Sequence, residues 1–354
     1  TAEPAPQALR TVQLVTTDPA LTEPVRRASV LARATALARD LANTPSNIKD
    51  PAWLAKMATR TAGKVADVVV RDEKWLAEQG FGGLLAVGGG STRPPRFVEM
   101  TWRPTARTPH VVLVGKGITF DTGGISVKPA DGMHMMRTDM SGGAAVIAAM
   151  EAIARLGLDV RVTGLVSCAE NHLSGSAYRP GDIVRHYGGR TTEVTNTDAE
   201  GRMVMADALA YAVARLEPDL IVDVATLTGA MKVALGLRTG GLFASTDEIA
   251  ALVLGAGTAA GERWWRMPLA SDVDSVAGEF TESVHSEVAD VQQCPPGPGG
   301  IAAAMFLREF TAGLPWAHLD IAGPARAERA YDEVSAGATG FAARTLVEFV
   351  AAHA

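Results

Sequence analysis

Cysteine is almost absent from this chain of 354 residues: Cys168 and Cys294 lie far apart and form no CxxC pair. A disulfide framework is therefore excluded, and the count fits a reducing compartment. Aromatic residues are scarce at 5%, so the core must be built from Ala, Val, Leu, Ile and Met. No run of 18 apolar residues occurs, and no membrane span is expected. Positive charge is not in excess either. Lys and Arg number 33 against 39 acids, a net charge of −6, which gives no electrostatic footprint for nucleic acid or an anionic membrane. What is present is an ordinary globular composition, 47% hydrophobic and 20% charged, unlike a disordered or collagen-like chain. The first residue is Thr1 and no signal-peptide apolar region follows, so the sequence is expected to begin inside a longer natural chain.

The first twenty residues, punctuated by Pro and Thr, read as a tail with one short strand at 12–16. An Ala-, Leu- and Arg-rich helix is predicted over 23–43, stopped by Pro45, and a second over 52–62 behind the Asp50-Pro51 cap. Thereafter β-branched runs at 65–70, 84–87, 97–102, 111–114, 160–166, 220–224 and 242–245 alternate with helical periodicity at 142–156, 202–216, 249–261, 301–312 and 342–353. Such alternation predicts an α/β fold, a mixed, mostly central β-sheet flanked by helices.

In open α/β sheets ligands bind beyond the carboxyl ends of strands. Two such ends are dense in charge. Residues 111–129, VVLVGKGITFDTGGISVKP, carry Lys116, Asp121 and Lys128 among glycines. Residues 193–202, EVTNTDAEGR, carry Asp198 and Glu200, two apart, so extended backbone would point both carboxylates to one side. Between them Asp139 precedes a helix that starts with glycine. Any one of these acids alone reads as a cap or turn residue. Together they concentrate charge where burial is costly without metals or partners, and carboxylate clusters of this kind suit divalent cations. Rival motifs fail. GxxxxGK[ST], GxSxG and HExxH are absent, and GAGTAAG at 255–261 lies within a helical pattern. The seven His show no metal-ligand spacing and are expected at the surface or satisfied in the core.

These segments resemble the leucyl (cytosol) aminopeptidases, di-zinc exopeptidases that form hexamers. NTDAEGR at 196–202 matches the family signature. VGKGITFDTGGISVKP at 114–129, MRTDMSGGAA at 136–145, AENHLSGSAYRPGDI at 169–183, TLTGA at 226–230 and HLDIAG at 318–323 follow in family order. The resemblance runs from about residue 35 to the C-terminus. It implies a zinc-exopeptidase-like three-layer domain over 44–354, with 1–43 as a linker stub and connecting helix left from an N-terminal domain absent here.

Position by position, the resemblance implies two divalent metal ions per subunit, zinc or manganese. One would be held by Asp121, Asp198 and Glu200, the other by Lys116, Asp121, Asp139 and Glu200. Lys128 and Arg202 match the two further catalytic positions, with bicarbonate at Arg202. Leu227 matches a residue whose backbone amide helps hold the reacting centre. Met136, Thr226 and Gly229 match pocket positions, and Ala338 lies in a segment that approaches the same pocket. His172 stands where an apolar residue, commonly Met, is usual. The implied activity is removal of N-terminal residues, apolar ones preferred, from short peptides with a free N-terminus. The implied assembly is a homohexamer, the location cytoplasmic, with no membrane or nucleic-acid partner. A dipeptidase specialised for Cys-Gly, or an architectural DNA-binding role, remain the alternatives; the charge and the lack of a Lys/Arg run argue against the second.

Overall fold

The computed structural model describes residues 11–104, 108–269 and 282–354. Its centre is strand β3 (His110–Asp121), whose side chains are buried along nearly its whole length. Val111 and Leu113 enter one core, Val112 and Val114 the other, as a strand covered on both faces requires. Outward in one direction β3 is followed by β4 (Arg161–Asn171), β2 (Arg96–Trp102) and β1 (Asp67–Arg71). In the other come β7 (Leu220–Ala225), β11 (Trp316–Asp320), β8 (Thr239–Ala244) and β9 (Arg263–Arg266), which completes an eight-stranded sheet. The short strands β5 (Ile183–Arg185), β6 (Thr191–Glu193) and β10 (Val291–Gln292) form a small separate sheet, and β12 (Arg326–Ala327) pairs with β13 (Gly337–Ala338).

The four middle strands, β4, β3, β7 and β11, run parallel, and the flanking pairs β1–β2, β2–β4 and β8–β11 are antiparallel. All four middle strands therefore end at the same edge. β3 pairs with β7 only from Val111 to Gly115, but with β4 as far as Asp121 opposite Asn171. From Lys116 onward it has β4 on one side and open space for a site on the other.

Helices α1 (Thr22–Asn43), α2 (Pro51–Thr61), α5 (Ser141–Leu156), α8 (Asp247–Ala260) and α10 (Ala343–Ala351) cover one face. Helices α3 (Glu73–Gln79), α4 (Gly82–Gly88), α6 (Glu200–Tyr211) and α9 (Gly299–Arg308) cover the other, together with the short α7 (Gly229–Leu235). This is the expected three-layer α/β arrangement. Helix α2 starts as its sequence predicts, with Asp50 accepting from the Trp53 N–H at 2.7 Å and Pro51 in the first turn. In α1 the buried residues are Ala34, Ala38, Leu41 and Ala42, all in the second half. Buried Lys49 clamps its end, donating to the carbonyls of Leu41 and Ala42 at 3.1 and 2.8 Å and to that of Arg137 at 2.5 Å.

Two expected strands are not formed. Residues 12–16 pair with no strand among the described residues, and Val12, Leu14 and Val15 are exposed. Residues 84–87 belong to helix α4, because Leu84 and Val87, three apart, share the face buried against α6. The Asp207 carboxylate accepts the Leu84 N–H at 2.8 Å and so secures that helix's first turn from another element. A four-residue apolar run cannot distinguish these two outcomes by periodicity.

Candidate metal centre

The parallel edge of the sheet delivers the charged residues to one place. β3 supplies Lys116 from within its open stretch and Asp121 from its end. The turn after it supplies Lys128, the segment before α5 supplies Asp139, and the start of α6 supplies Asp198 and Glu200. All six line one cavity of about 420 Å³. Asp198 and Glu200 are not on extended backbone, as their spacing suggested. Thr197–Ala199 is a single 3-10 turn and Glu200 opens α6. The turn still brings both carboxylates toward Asp121, with one oxygen from each of the three within 4.8 Å of the others.

Two ammonium groups thread the four carboxylates. Lys116 Nζ lies 2.8 Å from Asp139 and 2.7 Å from Glu200, and donates to the Thr226 carbonyl at 3.2 Å. Lys128 Nζ lies 2.8 Å from Asp121 and also pairs with Asp198. Burial alone would lower Lys116, but Asp139, Glu200 and Asp121 outweigh it and hold the ammonium well above the usual lysine range. Lys128 is raised on the same balance, burial against Asp121 and Glu200. Burial, then the Asp121 charge, pushes Glu200 up to about 8 against the pull of Lys116. Asp139 and Asp198 are raised, in both cases chiefly by burial.

The donor set fits divalent cations. Four buried or half-buried carboxylates against two ammoniums leave unneutralised negative charge in the interior. Glu200 Oε2 is buried and accepts no hydrogen bond, an unpaired oxygen that a hard cation would satisfy.

The signature segment is fixed by residues remote in sequence. Buried Gln293 accepts the Asn196 N–H at 3.1 Å, donates to the Ala199 carbonyl at 3.0 Å, and its own carbonyl accepts from Arg202 Nη1 at 2.7 Å. Asn171, at the end of β4, donates to Asp121 Oδ1 at 2.8 Å and to the Thr197 carbonyl at 3.0 Å, which Tyr178 also reaches at 2.9 Å. The Thr197 hydroxyl donates to the Gly123 carbonyl at 2.7 Å and accepts the Ser126 N–H at 2.8 Å. Gly123 has φ +86°, and a Cβ there would sit 2.5 Å from the Ser126 carbonyl oxygen, so the turn needs glycine. At the end of β11, Asp320 accepts the Leu227 N–H at 3.2 Å, the Thr228 hydroxyl at 2.6 Å and the Ala322 N–H at 3.0 Å.

Residues 36–347 match the sequence profile of the cytosol aminopeptidase family, catalytic domain. The chain belongs to this family. A probable cytosol aminopeptidase of Chlorobium phaeobacteroides is 48% identical over 318 residues, 89% of this chain and 62% of the relative. One from Cutibacterium acnes is 46% identical over 350 residues, 98% of this chain and 67% of the relative. The chain thus spans about two thirds or less of the length of such relatives. Among solved structures, the bottromycin maturation enzyme BotP in complex with Mn superposes with a TM-score of 0.86 at 47% identity, over 93% of this chain and 72% of that one. A second BotP structure gives 0.88 at 44% identity, over 99% and 76%.

For the cytosol aminopeptidase fold, most residues singled out in the sequence meet in the cavity. Lys116, Asp121, Lys128, Asp139, Asp198, Glu200 and Arg202 line it, as do Met136, Thr226, Leu227 and Gly229. Ala338 does not. It is fully buried in β13, behind its β12 partner Arg326, which lines the cavity instead. The Leu227 amide, expected to face the reacting centre, is held by Asp320. His172 is exposed and outside the lining. His110, His186 and His318 are core residues bonded to Thr163, Asp207 and Asp223, as expected of histidines without ligand spacing. Both cysteines are free thiols. Among the described residues no helix is long and apolar enough to cross a membrane.

Proposed function

We propose that this chain is the catalytic part of a metal-dependent aminopeptidase that hydrolyses the first peptide bond of short peptides, apolar N-terminal residues preferred. The observation that carries this reading is the convergence of four carboxylates and two lysines, from four separate segments, on one cavity. Family membership supports it, and the Mn complex of BotP supports manganese among the metals. Asp121, Asp198 and Glu200 would hold one divalent ion, and Asp121, Asp139, Glu200 and Lys116 a second, the lysine as a neutral amine once its ammonium proton is displaced. Bound there, the pair would supply Lewis-acid polarisation and a hydroxide near neutral pH.

The remaining chemistry belongs to the chain. Lys128, half-buried and cationic, would stabilise an oxyanion developing beside Asp121. Arg202 is buried, makes no ion pair among the described residues and lines the cavity, which supports an anion there; the resemblance implies bicarbonate. Met136, Thr226 and Gly229 would shape the pocket for the first side chain, with Leu227 beside them. Asp320 would hold that wall in place. The homohexamer, the cytoplasmic location and the stub-plus-domain division at residue 43 stay part of this proposal, on the resemblance.

Two measurements test the reading. Leu-p-nitroanilide should be cleaved and N-acetyl-Leu-p-nitroanilide should not, because a blocked amine can no longer bind a cation or orient the scissile carbonyl, and misplacement by about an ångström already costs ~10²-fold. Chelation should abolish the activity. Equal kcat/KM for the two substrates, or full turnover under chelation, overturns the assignment. Metal uptake should also be pH-dependent. Burial raises Glu200, and Lys116 must give up its ammonium proton before it can ligate, so metal uptake should release protons and affinity should fall as pH falls. Calorimetric titration with Mn in buffers of different ionisation enthalpy would read the released proton directly; a buffer-independent heat would refute it.

A further inference from the structure

The four acids of the cavity all pair with Lys116 or Lys128, two ammoniums against four carboxylates. Besides Arg202, two more cations line the same cavity, and neither belongs to that set. Lys232 stands on α7, the helix that also contributes Gly229 and Ala230 to the lining. Arg326 stands on β12, three residues after Gly323. Gly323 packs against α7 closely enough that a Cβ there would lie 2.2 Å from the Gly236 carbonyl oxygen and 3.6 Å from Lys232 Cα. This contact brings the two cations onto one cavity. Both are partly buried, and neither side chain makes a hydrogen bond or ion pair among the described residues. The acids lining the cavity with them are the four already described, all turned to Lys116 and Lys128 or to the metal positions.

A partly desolvated cation without a partner is unfavourable, and a carboxylate supplied by the ligand would relieve it with charge-assisted hydrogen bonds. At about 420 Å³ the cavity is within the range of small-ligand pockets, so it encloses the end of a peptide rather than a long segment. We propose that Lys232 and Arg326 form a carboxylate-recognising subsite, which makes this enzyme favour substrates that bring an anionic group into the cavity with the residue being cleaved. The proposal rests on the aminopeptidase reading above and names its substrate class. The carboxylate has two chemical sources, the C-terminus of a dipeptide or the side chain of an acidic second residue.

The test uses the metal-loaded full chain and K232Q/R326Q, with paired substrates: Leu-Gly against Leu-Gly-amide, and Leu-Glu-amide against Leu-Gln-amide. The native protein should favour the anionic member of at least one pair by about tenfold or more in kcat/KM, mostly through KM, and the double variant should bring that ratio to near one. Preference in the first pair assigns the C-terminus, in the second the side chain. The ratio is the readout, so a general loss of activity in the variant does not imitate the effect. Calorimetric binding of the non-cleavable methylene-amine isostere of Leu-Gly, as free acid and as amide, separates this proposal from the parent reading. If Leu-p-nitroanilide is not cleaved but the free acid binds tenfold tighter than the amide, and only with Lys232 and Arg326 present, the subsite stands while the activity falls. Equal treatment of both members of every pair, or a preference that survives in K232Q/R326Q, overturns the subsite.

Discussion

Glu200→Ala should lower kcat/KM for Leu-p-nitroanilide by on the order of 10³-fold or more, the rate equivalent of losing several kcal/mol of charge stabilisation. The same substitution should reduce the Mn stoichiometry measured after dialysis. Glu200 is the acid that faces both groups of partners. One oxygen pairs with Lys116, the other has no donor, and the residue lies within coordinating reach of Asp121 and Asp198. Its removal also frees Lys116 from one of its two carboxylate partners. Asp139→Ala, which leaves the Asp121, Asp198 and Glu200 group intact, should by contrast keep one metal of the two. Stoichiometry by atomic absorption distinguishes these outcomes. Native metal content and turnover in E200A would remove Glu200 from the centre and with it the bridging arrangement.

Gly201→Ala should cost activity far more than stability. Glycine is the second residue of α6, and alanine there favours the helix, by at most about 1 kcal/mol. Yet an added Cβ would sit 2.7 Å from Lys116 Cε, 2.9 Å from its Nζ and 2.8 Å from Leu227 Cδ1. The nearest atoms are all side-chain ends, so the chain can fold by moving the lysine's end. That end is pinned to Asp139, Glu200 and the Thr226 carbonyl, and moving it disturbs all three contacts. The expected result is a folded protein with a somewhat lowered Tm, because buried ion pairs are disturbed, and a loss of roughly 10²-fold in kcat/KM, the scale of a one-ångström displacement. Full activity in G201A would show that the lysine tolerates displacement; a collapsed Tm would show that the backbone, and not the lysine, is what the methyl meets.

The functional strands are readable because their chemistry and their fold coincide. The run from 111 onward is apolar up to the point where Gly115 and Lys116 break it, and that is where β7 stops pairing. Charge at the end of an apolar strand is enough to mark the site in the amino-acid sequence. The carboxylate pair at 198 and 200 meets the other charged residues in one cavity, but a 3-10 turn, not a strand, orients it. What sequence reading misses lies at long range. Gln293 reaches the signature from about ninety residues away, and Asp320 holds Leu227 and Thr228 from a neighbouring strand end. Nothing in a local pattern distinguishes such residues from ordinary loop glutamines and aspartates. Ala338 and Arg326 show the same limit in small form, because only the pairing of β12 with β13 decides which of the two faces the cavity.

The unequal reach of β3 and β7 separates two kinds of change that a lineage can make. Lys116 and Asp121 sit on a strand that its β4 neighbour holds in register as far as Asp121. The wall opposite is built from α7 and the short β12, elements of seven and two residues joined to the rest by turns. On the proposed function, substitution in that wall would alter which peptides are welcomed and leave the charged edge where the sheet put it. Relatives of nearly equal identity to this chain carry names as different as cytosol aminopeptidase and bottromycin maturation enzyme. A fold that keeps the wall of its cavity on elements separate from the charged sheet edge would suit such divergence.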